Sequence, residues 1–238
     1  MTPEQLLRIF ETRKNRFKFL SSGIDIISPN KGEKWLEVGC NNGDATNYLT
    51  QQYSLNVRGL DINEYNVKTS KERYPSLSFD LGDATNTGYE KQTFDGIFSE
   101  AAFSPIPNKA DLVKEYSRII KPGGYVLIND FALKEKINKE ERYEYSHIPC
   151  FAGVGFVSEY IQFFKDFKLI KSEENYSELL AIVLHLSKES GVKPIEIGSL
   201  LSRYYNIGHE KISCPFDESR GMMAKAKLTY ARMIFQKI

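Results

Sequence analysis

Strand-like and helix-like patterns alternate along the first half of this chain, and the alternation limits its fold more than any other feature. Short apolar segments predict five strands between residues 34 and 130: KWLEVG, NVRGLD, LSFDLGD, FDGIFSE and GYVLIND. Helical patterns over residues 43–52, 64–74 and 110–124 lie between them. Strands that are joined through helices cross over the sheet and pair in parallel. The pattern therefore predicts an α/β fold with a doubly wound sheet.

Two late strands are expected to complete the sheet. FKLIKSE begins at residue 167 and LTYARMIFQKI begins at residue 228, so we expect seven strands, mostly parallel, in a Rossmann-like arrangement. The helical patterns YSELLAIVLHLSKESG and EIGSLLSRYY lie between these segments and predict a helical insertion before the last strand. Ligands of such open sheets bind beyond the carboxyl ends of the strands, where the strand order reverses.

No linker divides the chain, so we expect one domain over residues 1–238. Within it we distinguish an N-terminal helical segment (1–30), a ligand-binding core (31–131) and a region that completes the sheet and forms a lid (132–238). An amphipathic helix is predicted over residues 3–20, because apolar residues recur there at helical spacing between basic ones.

Charge and composition exclude several classes of partner. The formal net charge of +1 gives no global electrostatic reason to bind nucleic acid or an anionic membrane. The longest apolar stretches, such as LLAIVLHL, are too short to span a bilayer, and the first residues lack the apolar core of a signal peptide. We therefore expect a cytoplasmic protein. Cys40, Cys150 and Cys214 are far apart and form no CxxC motif, so we expect neither a disulfide framework nor a metal site.

The first strand runs into a glycine-containing turn in the stretch WLEVGCNNGDAT. Gly39 and Gly43 would let the backbone approach a ligand and leave the N–H groups of the next helix facing it. Asp61 ends the second strand roughly twenty residues further on, where an acid binds a ribose hydroxyl pair. These features suit an adenosine-containing cofactor.

The charge and spacing of the turn narrow the cofactor further. A dinucleotide site requires Gly-x-Gly-x-x-Gly, and the turn from Gly39 to Gly43 lacks that spacing, which argues against a nicotinamide-dependent dehydrogenase. Glu37 would place a negative charge near a diphosphate and suits a cationic ligand better. Asp83 follows the third strand and could accept a hydrogen bond from the adenine amine. A positively charged adenosine sulfonium fits all of these features.

The successive segments LEVGCNNG, LDIN, GDAT, FDGIFSEAAF and IIKPGGYVLIND resemble, in order and spacing, the motifs of class I S-adenosylmethionine-dependent methyltransferases. One departure is Asn41, which stands where that family usually has the middle glycine of its first loop. The resemblance implies S-adenosylmethionine as cofactor. It also implies a role for each matching residue: Glu37, Gly39 and Gly43 around the amino acid portion, Asp61 on the ribose with Ile62 beside the adenine, Asp83 and Ala84 on the adenine, and Ser99 beside the reactive end.

A narrower resemblance lies in the C-terminal half. The segment HIPCFAGVGFVSEYIQFFKDFKLIKSEENYSELL is similar to the one that follows the core in arsenite methyltransferases, and Cys150 falls on a cysteine of that segment. Thr46 stands where those enzymes have a further cysteine after the glycine loop. Trivalent arsenic prefers several convergent thiolates, and this chain offers two plausible thiols at most. Arsenite is therefore not the acceptor that we favour.

Methyl transfer from a sulfonium is an in-line displacement, so an enzyme contributes alignment, exclusion of water and, for a hydroxyl or amine acceptor, a general base. The candidate catalytic residues are Glu100, which directly follows the fourth strand, and His147 and Cys150 in the aromatic segment further on. Glu100 is the best single candidate. Tyrosines near residue 145 could equally form a dimer contact, so we expect a monomer or a homodimer.

Two functions of different classes remain from the sequence. The first is an S-adenosylmethionine-dependent methyltransferase that acts on a small molecule. The second is an assembly or regulatory protein that binds the cofactor but has a decayed catalytic site, with Asn41 as one sign of decay. The joint presence of Glu37, Asp61 and Asp83 favours the enzyme.

Overall fold

A computed structural model describes residue 9 and residues 12–134, 153–193 and 228–238 of the chain. Its helices are α1 (Lys18–Ile27), α2 (Asp44–Tyr53), α3 (Glu64–Arg73), α4 (Lys109–Ile119), α5 (Val157–Ile161) and α6 (Tyr176–Ser190). Its strands are β1 (Lys34–Val38), β2 (Asn56–Asp61), β3 (Ser78–Leu81), β4 (Phe94–Glu100), β5 (Ile120–Leu133), β6 (Phe167–Glu174) and β7 (Leu228–Lys237).

The seven strands form one sheet in the order β3-β2-β1-β4-β5-β7-β6. The first five strands pair in parallel, and β7 runs antiparallel between β5 and β6. The prediction of a doubly wound, mostly parallel, seven-stranded sheet is confirmed, and α6 lies in the predicted insertion before the last strand. The strand order reverses at β1, which pairs with β2 on one side and β4 on the other. A ligand site is therefore expected beyond the carboxyl ends of these strands.

The sheet has an apolar layer on each face, because successive residues of a strand point to opposite sides. On one face, Leu36 and Val38 of β1 belong to a cluster that includes Tyr116 of α4. On the other face, Trp35 of β1 packs with Leu20 of α1 and Leu127 of β5. Both layers are fully buried, so the strand ends that carry polar residues are held on a rigid support.

Gly96 on β4 gives room for the Trp35 indole, and Gly96→Ala is expected to destabilise the protein by about 3 kcal/mol. A methyl group at this position would lie 2.3–2.5 Å from three indole carbons of a side chain that is completely buried. Chemical denaturation measures the change. The matched control is Gly191→Ala, which has open space but a positive φ of 71°, and should cost only about 1 kcal/mol. Equal losses in the two variants would contradict the packing explanation.

Two helix boundaries differ from the prediction. Residues 12–17 form turns rather than part of a helix over 3–20, and α1 begins only at Lys18 and continues to Ile27. Asn15 interrupts the helical pattern because it takes a left-handed conformation, with φ at 59°. The helix that was predicted over 110–124 ends at Ile119, since Pro122 disfavours helical geometry in the residue before it and has no N–H to donate.

Among the residues that the structure describes, no helix is long and apolar enough to cross a membrane. The expected cytoplasmic location and the expected oligomeric state stay predictions.

Candidate functional site

A cavity of about 450 Å³ lies at the carboxyl ends of the strands beside β1, where the strand order reverses. Its volume is in the range of small-molecule sites. Its wall comes from the loops after β1, β2, β3 and β4, and consists of Val38, Gly39, Leu60, Asp61, Ile62, Gly82, Asp83, Ala84, Thr85, Ala102, Pro105, Ile106, Pro107 and Asn108. Five of the eight predicted cofactor-binding residues are in this wall.

Gly39 is the point where the loops after β1 and β4 meet. Its φ is 75°, and a methyl group built on it would lie 2.4 Å from the Cβ atom of Ala102. Its N–H donates to the carbonyl oxygen of Leu60 at 2.8 Å, which ties the turn to β2. A side chain at Gly39 would therefore push the β4 loop away and deform the cavity wall.

Gly43, which was predicted to lie around the amino acid portion of the cofactor, packs against the sheet. It lies outside the cavity wall and precedes α2 with a φ of 79°. A methyl group there would meet the ring of Phe79 on β3 at 2.6 Å. The structure therefore requires glycine at this position for the packing of the turn against the sheet.

Asn41 stands at the position of the middle glycine in the first loop of class I methyltransferases, and its backbone conformation and hydrogen bonds maintain the geometry of the loop. It adopts a left-handed conformation with φ at 46°, which asparagine tolerates better than most residues. Its backbone N–H donates to Asp61 Oδ2 at 2.9 Å, and its carbonyl oxygen accepts from Ser70 Oγ at 2.7 Å. Asn41 is exposed and is not part of the cavity wall, so its side chain does not fill the cavity.

Asp61 is held rigidly at the end of β2 and is only 8% exposed. Its Oδ1 accepts from the Asn63 N–H at 2.9 Å and from Asn66 Nδ2 at 3.3 Å, while Oδ2 accepts from the Asn41 N–H at 2.9 Å. An ionised carboxylate has about four acceptor positions, so Oδ2 retains capacity for a donor in the cavity. A ribose hydroxyl is a donor of this kind.

The opposite side of the cavity offers an apolar surface and one free carboxylate oxygen. The Ile62 side chain is 74% exposed at the rim, and a flat apolar ligand would cover it. Asp83 Oδ1 accepts from the N–H and the hydroxyl of Thr85, both at 2.8 Å, which is a local turn cap. Among the described residues, no hydrogen bond reaches Asp83 Oδ2. Ala84 completes this wall, so Ile62, Asp83 and Ala84 are brought together as expected for an adenine site.

Glu37 lies behind the cavity wall near the end of β1 and is 3% exposed. Burial raises the pKa of Glu37 to about 8, and the negative charge of Glu100 adds to this rise. Thr46 Oγ1 donates a hydrogen bond to Glu37 Oε2, which lowers the pKa and so opposes the rise. A carboxyl group with such a pKa is mostly protonated at pH 7. A cation nearby would favour its ionised form.

Glu100 ends β4, and its side chain is partly buried. Asn129 Nδ2 donates to Glu100 Oε1 at 2.5 Å, while no hydrogen bond from a described residue reaches Oε2. Burial raises the pKa of Glu100 to about 8, against the effects of Asn129 and Arg232. A general base is most effective when its pKa lies near the working pH. Glu100 is not part of the cavity wall, and its assignment as a candidate catalytic residue stays a prediction.

Ser99 is not brought to the cavity. It lies in β4 with 1% of its surface exposed, and its Oγ has no hydrogen-bond partner among the described residues. Two further predicted residues, His147 and Cys150, lie outside the described residues, as do Tyr145 and Cys214. The assignment of His147 and Cys150 as candidate catalytic residues stays a prediction.

The sequence reasoning missed the loop over residues 101–108, which supplies a third of the cavity wall. The sequence did contain a signal for this loop, because SPIPN at residues 104–108 comes shortly after the fourth strand and its two prolines stiffen a loop. The buried side chain of Asp130 holds this loop: Oδ2 accepts from the N–H groups of Phe103 and Ser104 at 2.8 and 2.9 Å, and Oδ1 accepts from Ser104 Oγ at 2.8 Å. Nothing local in the sequence indicated this contact.

Within residues 9, 12–134, 153–193 and 228–238, no group of three or more histidine, cysteine or acidic side chains is arranged to hold a metal ion.

Known proteins are similar to the segment of this chain that builds the cavity. A family model described as a methyltransferase domain matches residues 36–128. Phosphoethanolamine N-methyltransferase 1 of Triticum aestivum is 30% identical over 129 residues, which are 52% of this chain and 26% of the wheat protein. The 2-methyl-6-phytyl-1,4-hydroquinone methyltransferase of Synechocystis sp. is 33% identical over 112 residues, which are 46% of this chain and 35% of that protein. The chain thus spans about a quarter and a third of the lengths of these two relatives.

A solved structure shows the same fold. Haemonchus contortus phosphoethanolamine N-methyltransferase 2, in complex with S-adenosyl-L-methionine, matches this chain with a TM-score of 0.73 at 18% sequence identity. The match covers 92% of this chain and 51% of that one. The likeness therefore extends beyond residues 36–128.

Proposed function

We propose that this chain, whose residues 36–128 match a model of a methyltransferase domain, transfers a methyl group from S-adenosylmethionine to a small-molecule acceptor. The observation that carries the proposal is the cavity at the reversal of the strand order. It brings together Gly39, Asp61, Ile62, Asp83 and Ala84, the residues that the motifs select for this cofactor. The relatives named above support a small acceptor, since their names specify a phosphorylated amine and a hydroquinone.

The residues present fit the cofactor. Gly39 lets the loops after β1 and β4 meet at the cavity wall without a side chain between them. Asp61 Oδ2 can accept a hydrogen bond from a ribose hydroxyl, and Asp83 Oδ2 can accept one from the adenine amine. Ile62 would lie against the adenine ring, and Glu37 would balance the positive charge of the amino acid end. When bound, S-adenosylmethionine supplies a methyl group on a positively charged sulfur.

Glu100 is the residue that we propose as general base. In such a transfer, the acceptor atom would bond to the methyl carbon while the carbon–sulfur bond broke and left its electron pair on sulfur. The acceptor's proton would pass to Glu100 Oε2, which is free of hydrogen bonds from described residues. An acceptor with a hydroxyl or amine N–H is the kind that needs such a base.

Cofactor affinity is expected to rise with pH up to about 8, the pKa of Glu37, and to level off above it. Below that pH Glu37 is protonated in the free protein, and a cationic ligand favours its ionised form, so binding releases protons. Calorimetry in buffers of different ionisation enthalpy measures this release. Glu37→Gln should remove it, whereas the exposed Glu72→Gln should leave it unchanged. An affinity that does not change with pH would contradict this role for Glu37.

A metalloid acceptor is not supported by the described residues. Cys40 is buried, and burial together with the charges of Glu37 and Asp61 holds the pKa of its thiol well above the usual range, which disfavours the thiolate. Thr46, at the position of the arsenic enzymes' additional cysteine, donates its hydroxyl hydrogen to Glu37. The resemblance of the C-terminal half to arsenite methyltransferases therefore stays a sequence resemblance, and an acceptor whose reacting atom is carbon, nitrogen, oxygen or sulfur is our proposal.

The alternative function is a cofactor-binding protein with a decayed catalytic site. Asn41 was the sequence feature that suggested decay, and it does not support this alternative because the loop keeps its geometry around Asn41.

The experiment that separates the methyltransferase from the binding protein is incubation with methyl-labelled S-adenosylmethionine and pools of small amines, phenols, hydroquinones, acids and thiols. We expect label in at least one acceptor, and labelling roughly 100-fold slower when Glu100→Gln replaces the wild type. Tight cofactor binding without transfer to any pool would favour the binding protein.

We further propose that the N-terminal segment (1–30), the core (31–131) and the lid region (132–238) act as one functional unit. Contacts across the described residues support this, since Arg13 pairs with Glu178 of α6 at 2.5 Å and Arg16 with Asp44 of α2.

A further inference from the structure

A buried hydrogen-bonded chain leads from the last strand of the sheet to the carboxylate of Glu100. Asn129 of β5 is completely buried; its Nδ2 donates to Glu100 Oε1 at 2.5 Å, and its Oδ1 accepts from Arg232 Nε at 3.3 Å. Arginine can only donate hydrogen bonds, so its contact fixes the amide with oxygen toward Arg232 and nitrogen toward Glu100. The amide cannot turn over without losing both contacts.

Arg232 is itself fixed by groups from two further elements, β6 and α1. Its Nη1 donates to Glu173 Oε1 of β6 at 2.6 Å, and its Nη2 donates to Ser22 Oγ of α1 at 2.9 Å and to the carbonyl oxygen of Phe19. The guanidinium also lies 3.9 Å from the centre of the Phe19 ring. This side chain has only 2% of its surface exposed. Buried ion pairs contribute little net stability compared with apolar residues, so stability alone does not account for this arrangement.

We propose that Asn129, held in place by Arg232, is a positioning residue that fixes the Glu100 side chain with Oε1 bound and Oε2 free to accept a proton. The inference rests on the proposed function, in which Glu100 is the general base. A glutamate side chain has several rotamers, and one fixed oxygen removes most of this freedom before the acceptor arrives.

Because charged groups surround Glu100, the hydrogen bond from Asn129 to Glu100 matters for the ionisation of Glu100. The groups that act on it from neighbouring elements are Glu37 of β1, Asp130 of β5, Glu178 of α6, and Tyr230 and Arg232 of β7. Glu178 and Asp130 raise the pKa of Glu100, whereas Asn129 and Arg232 lower it. Loss of either member of the chain should therefore leave Glu100 protonated to a higher pH.

The test is a pH titration of glutamate carboxyl carbons by NMR in ¹³C-labelled protein, with Glu100→Gln assigning the signal. In Asn129→Leu, and in Arg232→Gln as a second variant, we expect the pKa of Glu100 to rise by about one unit. The pH–rate profile of methyl transfer should shift in the same direction, with kcat at pH 7 lower by about tenfold and the KM for the cofactor unchanged. Gln236→Leu is the matched control, because it removes an amide from the other end of β7, where Gln236 contacts Gly123 and Tyr125.

A Glu100 pKa that stays unchanged in either folded variant would overturn the positioning role and leave the proposed function intact. A wild type that transfers no methyl group, although the pKa of Glu100 shifts in the variants as expected, would overturn the proposed function and with it the role of Asn129. An equal shift in Gln236→Leu would show a general effect of sheet destabilisation and would also overturn the inference.

Discussion

Asp61→Ala is expected to weaken S-adenosylmethionine binding roughly 100-fold, which corresponds to about 3 kcal/mol. The carboxylate would bind a ribose hydroxyl through Oδ2, and hydrogen bonds to charged groups contribute about 1.5–3 kcal/mol each. The same carboxylate holds the N–H groups of Asn41 and Asn63, so its loss also loosens the turn around the cavity. Isothermal titration calorimetry of the two proteins measures the change.

The matched control for this variant is Asp80→Ala. Asp80 lies on the neighbouring strand β3, where it accepts from Arg58 and from the Tyr89 hydroxyl, both at 2.7 Å, and it is not part of the cavity wall. Its replacement removes the same charge and also two hydrogen bonds, but should change cofactor affinity little. An Asp61→Ala variant that is folded and retains wild-type affinity would contradict the proposed ribose contact.

Glu100→Gln is expected to lower kcat by roughly 100-fold while the affinity for S-adenosylmethionine stays within about threefold of the wild type. Glutamine has the same shape and can still accept the hydrogen bond from Asn129, so the site keeps its geometry and loses only the proton acceptor. The pH dependence of the wild type gives a second measure. Activity should rise as the pH approaches 8, the pKa of Glu100, because the ionised form is the base.

Glu174→Gln serves as the control for this second variant, since Glu174 is an exposed carboxylate at the end of β6. It should leave kcat unchanged. If Glu100→Gln retains full activity, the acceptor reacts without a base, as an acceptor that is already ionised would. If the variant loses cofactor binding as well, Glu100 supports the cofactor site rather than the chemistry.

The strands and the placement of several residues at the cavity were largely predictable from the sequence because their signals are local. The expected bounds of β2 and β4 agree with the structure, since each segment is apolar and ends in an acid at the sheet edge. Asp61, Ile62, Asp83 and Ala84 directly follow such strands or end them, and parallel strands bring their carboxyl ends to one edge. Topology therefore brings these residues together without any knowledge of side-chain packing.

The support of the site was not predictable, because it depends on contacts between distant parts of the chain. Arg232 reaches Asn129 across about one hundred residues of sequence, and Asp130 holds a loop that lies before it in the chain. The requirement for glycine at position 43 comes from the ring of Phe79 on another strand. Local conformation also changed the N-terminal helix, since the positive φ of Asn15 interrupts an otherwise regular apolar pattern.

The central claim is that the cavity binds S-adenosylmethionine, and the most direct measurement is calorimetric titration of the wild-type protein with this cofactor and, separately, with NAD. We predict one site per chain with an affinity in the micromolar range, about −8 kcal/mol, and no binding of NAD. A folded protein that binds neither ligand, or that binds NAD as tightly as S-adenosylmethionine, would contradict the claim.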